Sequence, residues 1–362
     1  MIGAAIVGTG FAGHLHAESL LATGRAEIVG AVSQREASRG AFTDRWGGRS
    51  YNDVAEMLAI EKPQVVVVAL PNRFHAEVAI AAAEHGAHVI CEKPIAMSLE
   101  EADNMIAACR RAGVQLLYGE ELLFAPKYRK VKRLIDDGSL GSVFSINHHE
   151  RHDGPHSSWF FEPESAGGGA LLDMACHGIE LCRWLKGRLP VESVFASVGT
   201  FRHETSPVED HAVVTLRFTD GAIATVHGSW AVGGGIDERL EVIGADGSVV
   251  ADLARGSAML VHSQRGVEYA TEKAASGPGW AHVAYEEAWH WGWPQQLAHF
   301  VDCIEGHAAP EVTGEDGRAT LEIVHAAYES ARQGTRVRLP FESTAVRPID
   351  LYRGGDGGHR RE

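Results

Sequence analysis

The chain has 362 residues, 45% hydrophobic and 22% charged, a composition able to bury a sizeable core. Its 48 acidic against 33 basic residues leave a formal charge of −15, which argues against a nucleic-acid binder, since that needs a basic footprint to displace counterions from phosphate. No basic amphipathic stretch points to a membrane surface, and the scattered Cys91, Cys109, Cys176, Cys182 and Cys303 form neither a disulfide framework nor a CxxC zinc pattern.

Length makes two domains the first expectation. The first apolar run begins at Ile2, which leaves no room for a secretory leader, and no apolar stretch approaches the ~20 residues of a membrane helix. Unpaired cysteines then fit a reducing cytoplasm.

Strand and helix signals alternate through the first third. The run Ile2–Val7 leads into a glycine turn and a helical pattern reaching Ala22, and Glu27–Val32 is a second run. Val65–Leu70 is continuous and β-branched, as strands buried on both faces are. A helix is expected from about Phe74 to His85 and a strand over Ala87–Ile90. Ser98, with Glu101 completing a capping box, opens a helix to about Ala112, and Val114–Tyr118 closes the series. The alternation predicts a parallel sheet with helices on both faces over residues 1–122.

After about Leu123 the pattern changes. A helix over Pro126–Asp136 precedes strands at Ser142–Glu150, Val191–Phe201, His211–Phe218, Ala222–Trp230, Glu238–Gly244 and Ser248–Leu253, which alternate apolar and polar residues. Turn signals such as Thr219-Asp220-Gly221 and Ala245-Asp246-Gly247 separate several of them. Residues 123–342 thus read as an α+β domain with a large, mostly antiparallel sheet. Its helices are expected over Gly169–Leu185, about Pro294–Ile304 and Glu315 to about Arg332, with a short strand near Arg336–Pro340. Residues 343–362, rich in Gly and Arg, read as a mobile tail.

Gly8-Thr9-Gly10-Phe11-Ala12-Gly13 is a GxGxxG that follows a strand and opens a helix. In that context the glycines allow a tight turn, close approach of a pyrophosphate and helix–strand packing, and the helix N-terminus offers free N–H groups to phosphate. A ligand-free glycine turn is the plainer reading. At the end of the second strand an acid would favour NAD. Here the stretch is Ser33-Gln34-Arg35, with no acid, and an arginine there suits a 2′-phosphate, which leans the cofactor from NAD toward NADP. A solvated arginine opening the next helix is the alternative.

Glu92-Lys93-Pro94 follows the strand Ala87–Ile90, and in open parallel sheets ligands bind at the carboxyl ends of strands, so Lys93 is expected near the nicotinamide. Gly167-Gly168-Gly169 then precedes a helix on which Asp173 and His177, four apart, share a face, with Glu180 roughly in line. An acid that orients an imidazole suits proton transfer, although a surface Asp–His pair would look the same.

Taken together, GTGFAG, ALPNRFHAEVA, CEKPIAMSLEEA and GGGALLDMACHGIE, in this order, resemble the Gfo/Idh/MocA family of glucose–fructose oxidoreductases and inositol dehydrogenases. The resemblance reaches, more loosely, the helices of PQQLAHFVDCI and TGEDGRATLEIVHAAYES. It implies an N-terminal Rossmann domain, a second domain whose sheet builds homodimers or homotetramers, and a small carbohydrate-like substrate. It further implies Lys93 as the group contacting the substrate alcohol or ketone and the nicotinamide ribose, His177 as general acid/base, and Asp173 as the acid that binds substrate and positions His177. Gly8, Gly10 and Gly13, with Phe11 and Ala12 between them, would hold the pyrophosphate. Leu70, Pro71, Asn72 and His75 would line the cofactor, with Glu92 beside it. One departure stands out: many members carry an arginine just after the strand equivalent to Val114–Tyr118, where this chain has Glu120-Glu121. Acids there, Glu120 foremost, would bear on substrate choice.

His148, His149, His152 and His156 cluster in HHERHDGPHSSWF. On a strand His148 and His152 share a face and His149 points away, so no metal site is assigned, and His156 and Trp159 are the expected substrate contacts. Trp289, Trp291 and Trp293 read as core or interface residues more than pocket residues. Three function classes follow. The first is an NAD(P)-dependent dehydrogenase of a sugar, inositol or related polyol. The second is an enzyme of glycosidase or lyase type that retains NAD and oxidises its substrate transiently. The third, a non-catalytic NAD(P) sensor, sits poorly with Lys93, Asp173 and His177 all present.

Overall fold

A computed structural model describes residues 1–233, 235–254, 259–263, 279–283 and 287–354. The chain divides into two compact units: Met1–Phe124 with Gly292–Ala319, and Ala125–Trp291 with Thr320–Glu362.

The first unit runs β1 (Ile2–Val7), α1 (Phe11–Ala22), β2 (Ala26–Val32), α2 (Glu36–Trp46), β3 (Arg49–Tyr51), α3 (Val54–Glu61), β4 (Val65–Val68), α4 (His75–Glu84), β5 (His88–Glu92), α5 (Leu99–Ala112) and β6 (Leu116–Gly119). Its six strands lie in the order β3-β2-β1-β4-β5-β6, all parallel. That is the doubly wound order of a Rossmann domain, which reverses direction between β1 and β4. The four valines of β4 are fully buried, as expected for a central strand covered on both faces. The Ser98–Glu101 capping box forms, with both reciprocal bonds present. α2, β3 and α3 carry no sequence expectation above, because only Phe42 of α2 is buried and β3 has three residues.

The second unit opens with α6 (Pro126–Asp136), β7 (Val143–Arg151), α7 (Pro163–Ala166), α8 (Ala170–Asp173), α9 (Ala175–Leu185), β8 (Val191–Gly199), β9 (His211–Phe218), β10 (Ile223–Ser229), β11 (Asp237–Gly244), β12 (Ser248–Asp252), β13 (Met259–Ser263), β14 (Gly279–Val283) and α10 (Glu287–Trp291). Its main sheet has the order β12-β11-β7-β10-β9-β8-β15 and is antiparallel except where β7 and β10 run parallel. The alternation read from the sequence sorts side chains between two faces. Ile146, His148 and Glu150 of β7 are buried, and α8 and α9 pack over that side. The other face presents rows such as Phe195, Thr215, Thr225, Asn147, Glu241 and Val250 across five adjoining pairs.

The chain then returns to the first unit as α11 (Trp293–Ile304), and α12 (Gly314–Gln333) crosses the boundary at Ala319 and Thr320. β15 (Val337–Arg338) and α13 (Pro348–Arg353) follow. Two expectations are corrected here. The second domain is not one continuous segment 123–342. α11 packs on α1, with Arg25 holding Asp302 and Glu305 and Trp293 edge-on to His16. Nor is the tail mobile throughout: Ile349 of α13 is buried, its N–H bonds the Gly167 carbonyl at 3.0 Å, and Arg347 pairs with Glu164. Apolar Pro348-Ile349 outweighs the Gly/Arg composition that suggested a free end. Among the described residues no helix is long and apolar enough to cross a membrane.

Candidate active site

The glycine turn between β1 and α1 has the geometry that a pyrophosphate needs. Gly8 sits at φ +107°, and a Cβ there would lie 1.9 Å from the Ala69 carbonyl; one on Gly13 would lie 2.0 Å from the Gly8 carbonyl. Gly10 has nothing within 4 Å of where its Cβ would be. The first and third glycines are therefore required by packing, and the second leaves open room at the N-terminus of α1. No side chain caps that terminus, so its first N–H groups remain available to an anion. The turn thus fits a dinucleotide. At the end of β2, Ser33 is half-buried, Gln34 bonds the Asn52 carbonyl at 2.9 Å, and Arg35 is exposed at the N-cap of α2. Arg39, one turn later, lies over the Ser33 carbonyl at 3.3 Å. It is a second cation at this end that the sequence reading passed over.

The carboxyl ends of β4 and β5 are tied together by His75. Its Nδ1 lies 2.9 Å from the Pro94 carbonyl and its Nε2 2.9 Å from that of Leu70. Burial pushes this imidazole toward its neutral form. In that form the ring has one N–H and donates to one of the two carbonyls, standing between the Leu70-Pro71-Asn72 and Lys93-Pro94 turns. Glu92, also buried, accepts a 2.7 Å bond at His16 Nε2 from α1, and its other oxygen accepts the Lys93 N–H at 3.3 Å. Lys93 is half-buried just past β5. His16 has no motif to announce it; its only sequence signal is a polar residue on the buried side of α1. Glu120 and Glu121 lie just past β6 and are both buried.

In the second unit the expected single helix Gly169–Leu185 is broken. Asp173 ends α8, Met174 interrupts, and His177 lies in the first turn of α9. The reason is the sheet beneath: a Cβ on Gly228 of β10 would come 2.8 Å from the Ala175 nitrogen and 2.9 Å from the Ala170 carbonyl, so the strand presses into the break. Asp173 and His177 are both buried. Asp173 Oδ2 accepts the indole N–H of Trp230 at 2.9 Å, and His177 Nε2 stands 3.9 Å from Glu150 Oε1. That separation is ion-pair range without being a hydrogen bond. Glu180 is not part of this set. It is bound by Arg183, by Arg188 at 3.2 Å and by the Thr320 hydroxyl at 2.8 Å.

The histidine cluster disperses. His148 is buried, 2.8 Å from Glu238, which also accepts the Tyr128 hydroxyl at 2.6 Å. His149 faces the other side and stacks on His227 with centroids 4.4 Å apart. His152 is buried and stacks on exposed His156. Trp159 is half-buried and stacks on Phe160 at 3.8 Å, and Phe160 in turn meets the ring of Trp230 edge-on. The loop that carries Trp159 thus reaches the indole that holds Asp173. Trp230 and Glu150 were missed from the sequence. Trp230 looks like an ordinary apolar strand end, whereas Glu150 had a signal, being an acid between His148 and His152 on the face that alternation marks as inward. Of the three tryptophans near residue 290, Trp291 and Trp293 are buried and Trp289 is exposed.

A glycine-loop Rossmann unit, followed by a mixed sheet whose covering helices α8 and α9 carry buried Asp173 and His177, fits a nicotinamide-dependent oxidoreductase acting on alcohol carbons. Residues 2–120 match the oxidoreductase family with an NAD-binding Rossmann fold, and residues 128–250 match the GFO/IDH/MocA C-terminal domain. The chain is 32% identical to a 1,5-anhydro-D-fructose reductase of Ensifer adhaerens over 89% of its length and 93% of that protein's. It is 28% identical to a myo-inositol 2-dehydrogenase of Thermotoga maritima over 92% and 97%. Among solved structures, GenD2 from gentamicin A biosynthesis, in complex with NAD, superposes with a TM-score of 0.88 at 33% identity, covering 94% of this chain and 97% of that one. The chain belongs to the Gfo/Idh/MocA family of oxidoreductases.

Proposed function

We propose that the enzyme moves hydride between a nicotinamide dinucleotide and a secondary alcohol or ketone of a sugar, inositol or related cyclic polyol, acting in the cytoplasm. The observation that carries the reading is the buried Asp173–His177 pair with the Asp173 carboxylate pinned by Trp230. A fixed acceptor beside an imidazole binds one hydroxyl and deprotonates another. When bound, the nicotinamide supplies the hydride acceptor. His177 takes the hydroxyl proton as the carbinol C–H bond breaks, and Glu150 favours the imidazolium that results. Lys93 stabilises charge on the oxygen that becomes the carbonyl. Asp173 accepts from a neighbouring hydroxyl, which orients the ring, and Trp159 and His156 are the further side chains assigned to contact the sugar. Ketone reduction uses the same groups in reverse.

The Gly8–Gly13 turn would hold the pyrophosphate, with Leu70, Pro71, Asn72, His75 and Glu92 shaping the nicotinamide end. The lack of an acid at residues 33–35, with Arg35 and Arg39 at this end of β2, supports acceptance of NADP beside NAD. The face of the second-unit sheet not covered by α8 and α9 carries exposed Phe195, Ile223 and Val250. We assign it to self-association as a dimer or tetramer.

A panel of sugars and polyols, tried with each dinucleotide and read at the nicotinamide absorbance band, tests the proposal. Substrate-dependent reduction is expected with at least one cyclic secondary alcohol. Product formation without any net absorbance change, on enzyme purified with non-exchanging NAD, would instead favour transient oxidation of the glycosidase or lyase type.

A further inference from the structure

We propose that Glu209 is a positioning residue for Asp173, an inference that rests on the reading of Asp173 as part of the substrate site. α8 is four residues long, ends on Asp173 and has no side-chain cap of its own. The N–H groups at the start of any helix lack intrahelical acceptors, and buried ones must find others. Here one residue far along the chain organises all three. Glu209 Oε1 accepts the Leu171 N–H at 2.9 Å, and the Glu209 carbonyl accepts the Ala170 N–H at 3.0 Å. The Tyr328 hydroxyl, from α12, accepts the Gly169 N–H at 3.1 Å and donates to the same Glu209 Oε1 at 2.8 Å.

The glycines ahead of α8 are shaped to this brace. A Cβ on Gly169 would lie 1.9 Å from the Glu209 carbonyl oxygen, and one on Gly168 would lie 2.3 Å from the Tyr328 hydroxyl. The far end of α8 is held from the adjoining residue: the Asp210 carbonyl accepts the backbone N–H of Trp230 at 2.8 Å, and the Trp230 indole holds Asp173. Residues 209 and 210 thus govern both ends of a single helical turn, and its tilt decides where the Asp173 carboxylate lies. The brace needs an oxygen acceptor at Glu209. Oε2 has no hydrogen-bond partner among the described residues, and burial pushes the carboxyl up to about 7, so its charge is not what the donors require. Tyr328 is the titratable group facing it.

The test compares Glu209→Ala, Glu209→Gln and Tyr328→Phe in the full-length enzyme, by steady-state kinetics, dinucleotide affinity and amide hydrogen exchange of the 169–174 segment. In Glu209→Ala, exchange at Leu171 and Asp173 is expected to quicken and kcat to fall about tenfold, the scale of one buried hydrogen bond left unmade, with dinucleotide affinity unchanged. Glu209→Gln, which keeps the acceptor, should restore both readouts. Should Glu209→Ala fail to fold, Tyr328→Phe carries the test and should show the same pattern more weakly. Wild-type exchange and kcat in folded Glu209→Ala, or a Glu209→Gln no better than Glu209→Ala, overturns the proposal. Asp173→Asn separates the two readings: unchanged turnover there removes Asp173 from the substrate site, while the exchange data still decide whether Glu209 sets the turn.

Discussion

The cofactor turn of the first unit and the Asp173 seat of the second are built in opposite ways. The turn's own residues are contiguous: Gly8, Gly10 and Gly13 lie within six residues, and of the packing that requires the first and third, only that on Gly8 comes from elsewhere in the chain, at the Ala69 carbonyl. The seat is assembled from afar. Trp230 reaches Asp173 across 57 positions, Glu209 reaches Leu171 across 38, and Tyr328 reaches Gly169 across 159. A backbone turn tolerates no side chain but makes few demands elsewhere. A seat made of side chains can be retuned one residue at a time, as a site that chooses among substrates would need.

If this contrast is right, damage to the two halves should separate in measurement. The largest effect is expected for His177→Ala and Lys93→Ala, each lowering kcat by roughly 10²–10⁴ with dinucleotide affinity intact, as loss of proton transfer or of oxyanion stabilisation does. Fluorescence titration with NADH alongside turnover checks it; normal turnover in either variant removes that residue from the chemistry. Gly8→Val should do the converse. A side chain driven at the Ala69 carbonyl should cost several kcal/mol and abolish dinucleotide binding, read as loss of the ligand-induced rise in Tm.

Trp230→Phe should be milder. It keeps the ring against Phe160 and Phe161 but removes the donor to Asp173, and a hydrogen bond to a charged group is worth about 1.5–3 kcal/mol. The expectation is a roughly tenfold or greater loss in kcat/KM for the polyol, with no change toward the dinucleotide. Arg35→Ala should lower kcat/KM for NADP several-fold and leave that for NAD untouched, the range of one exposed charged contact. Equal loss with both would place Arg35 outside 2′-phosphate recognition.

The smallest effect concerns pH and two groups of the second unit that move in opposite directions. Glu209, held up to about 7, keeps its proton in the folded chain after the unfolded chain has released it near the ordinary carboxylate range. Its contribution to stability is full below that range and is lost as pH rises through about 7. Glu209→Gln should therefore raise Tm relative to the parent more at pH 8 than at pH 5. His149 is pulled down to about 4 by burial, by His227 and by Arg151 and Arg239, so its contribution is present above the ordinary histidine range and lost as pH falls toward 4. His149→Gln should flatten the acid limb of the Tm profile. A thermal scan series across pH checks both signs.

What was legible in the sequence follows the same division. The parallel sheet, the glycine loop and the position of Lys93 after β5 depend on neighbours in sequence, and periodicity and motif carried them. The Asp/His pairing was visible as a spacing, but the break at Met174 was not, because Gly228 of a strand some fifty residues on imposes it. Glu150 and Glu209 each carried a partial signal, being acids on an inward face or at the start of a strand. Trp230, which holds Asp173, Tyr328, which meets Glu209, and His16, which meets Glu92, carried little or none, since an aromatic or a histidine on a buried face reads as core until its polar atom is seen to have a purpose. The return of α11 to the first unit was hidden for a similar reason: its amphipathic pattern says that it packs, not against what.

A single-turnover experiment decides the central claim. Enzyme loaded with oxidised dinucleotide is mixed with whichever cyclic polyol the panel identifies, and nicotinamide reduction is followed in the parent and in His177→Asn. Substrate-dependent reduction approaching one equivalent per site is expected in the parent, and reduction at least about a hundredfold slower in the variant at equal dinucleotide occupancy. Equal rates in the two proteins would contradict it.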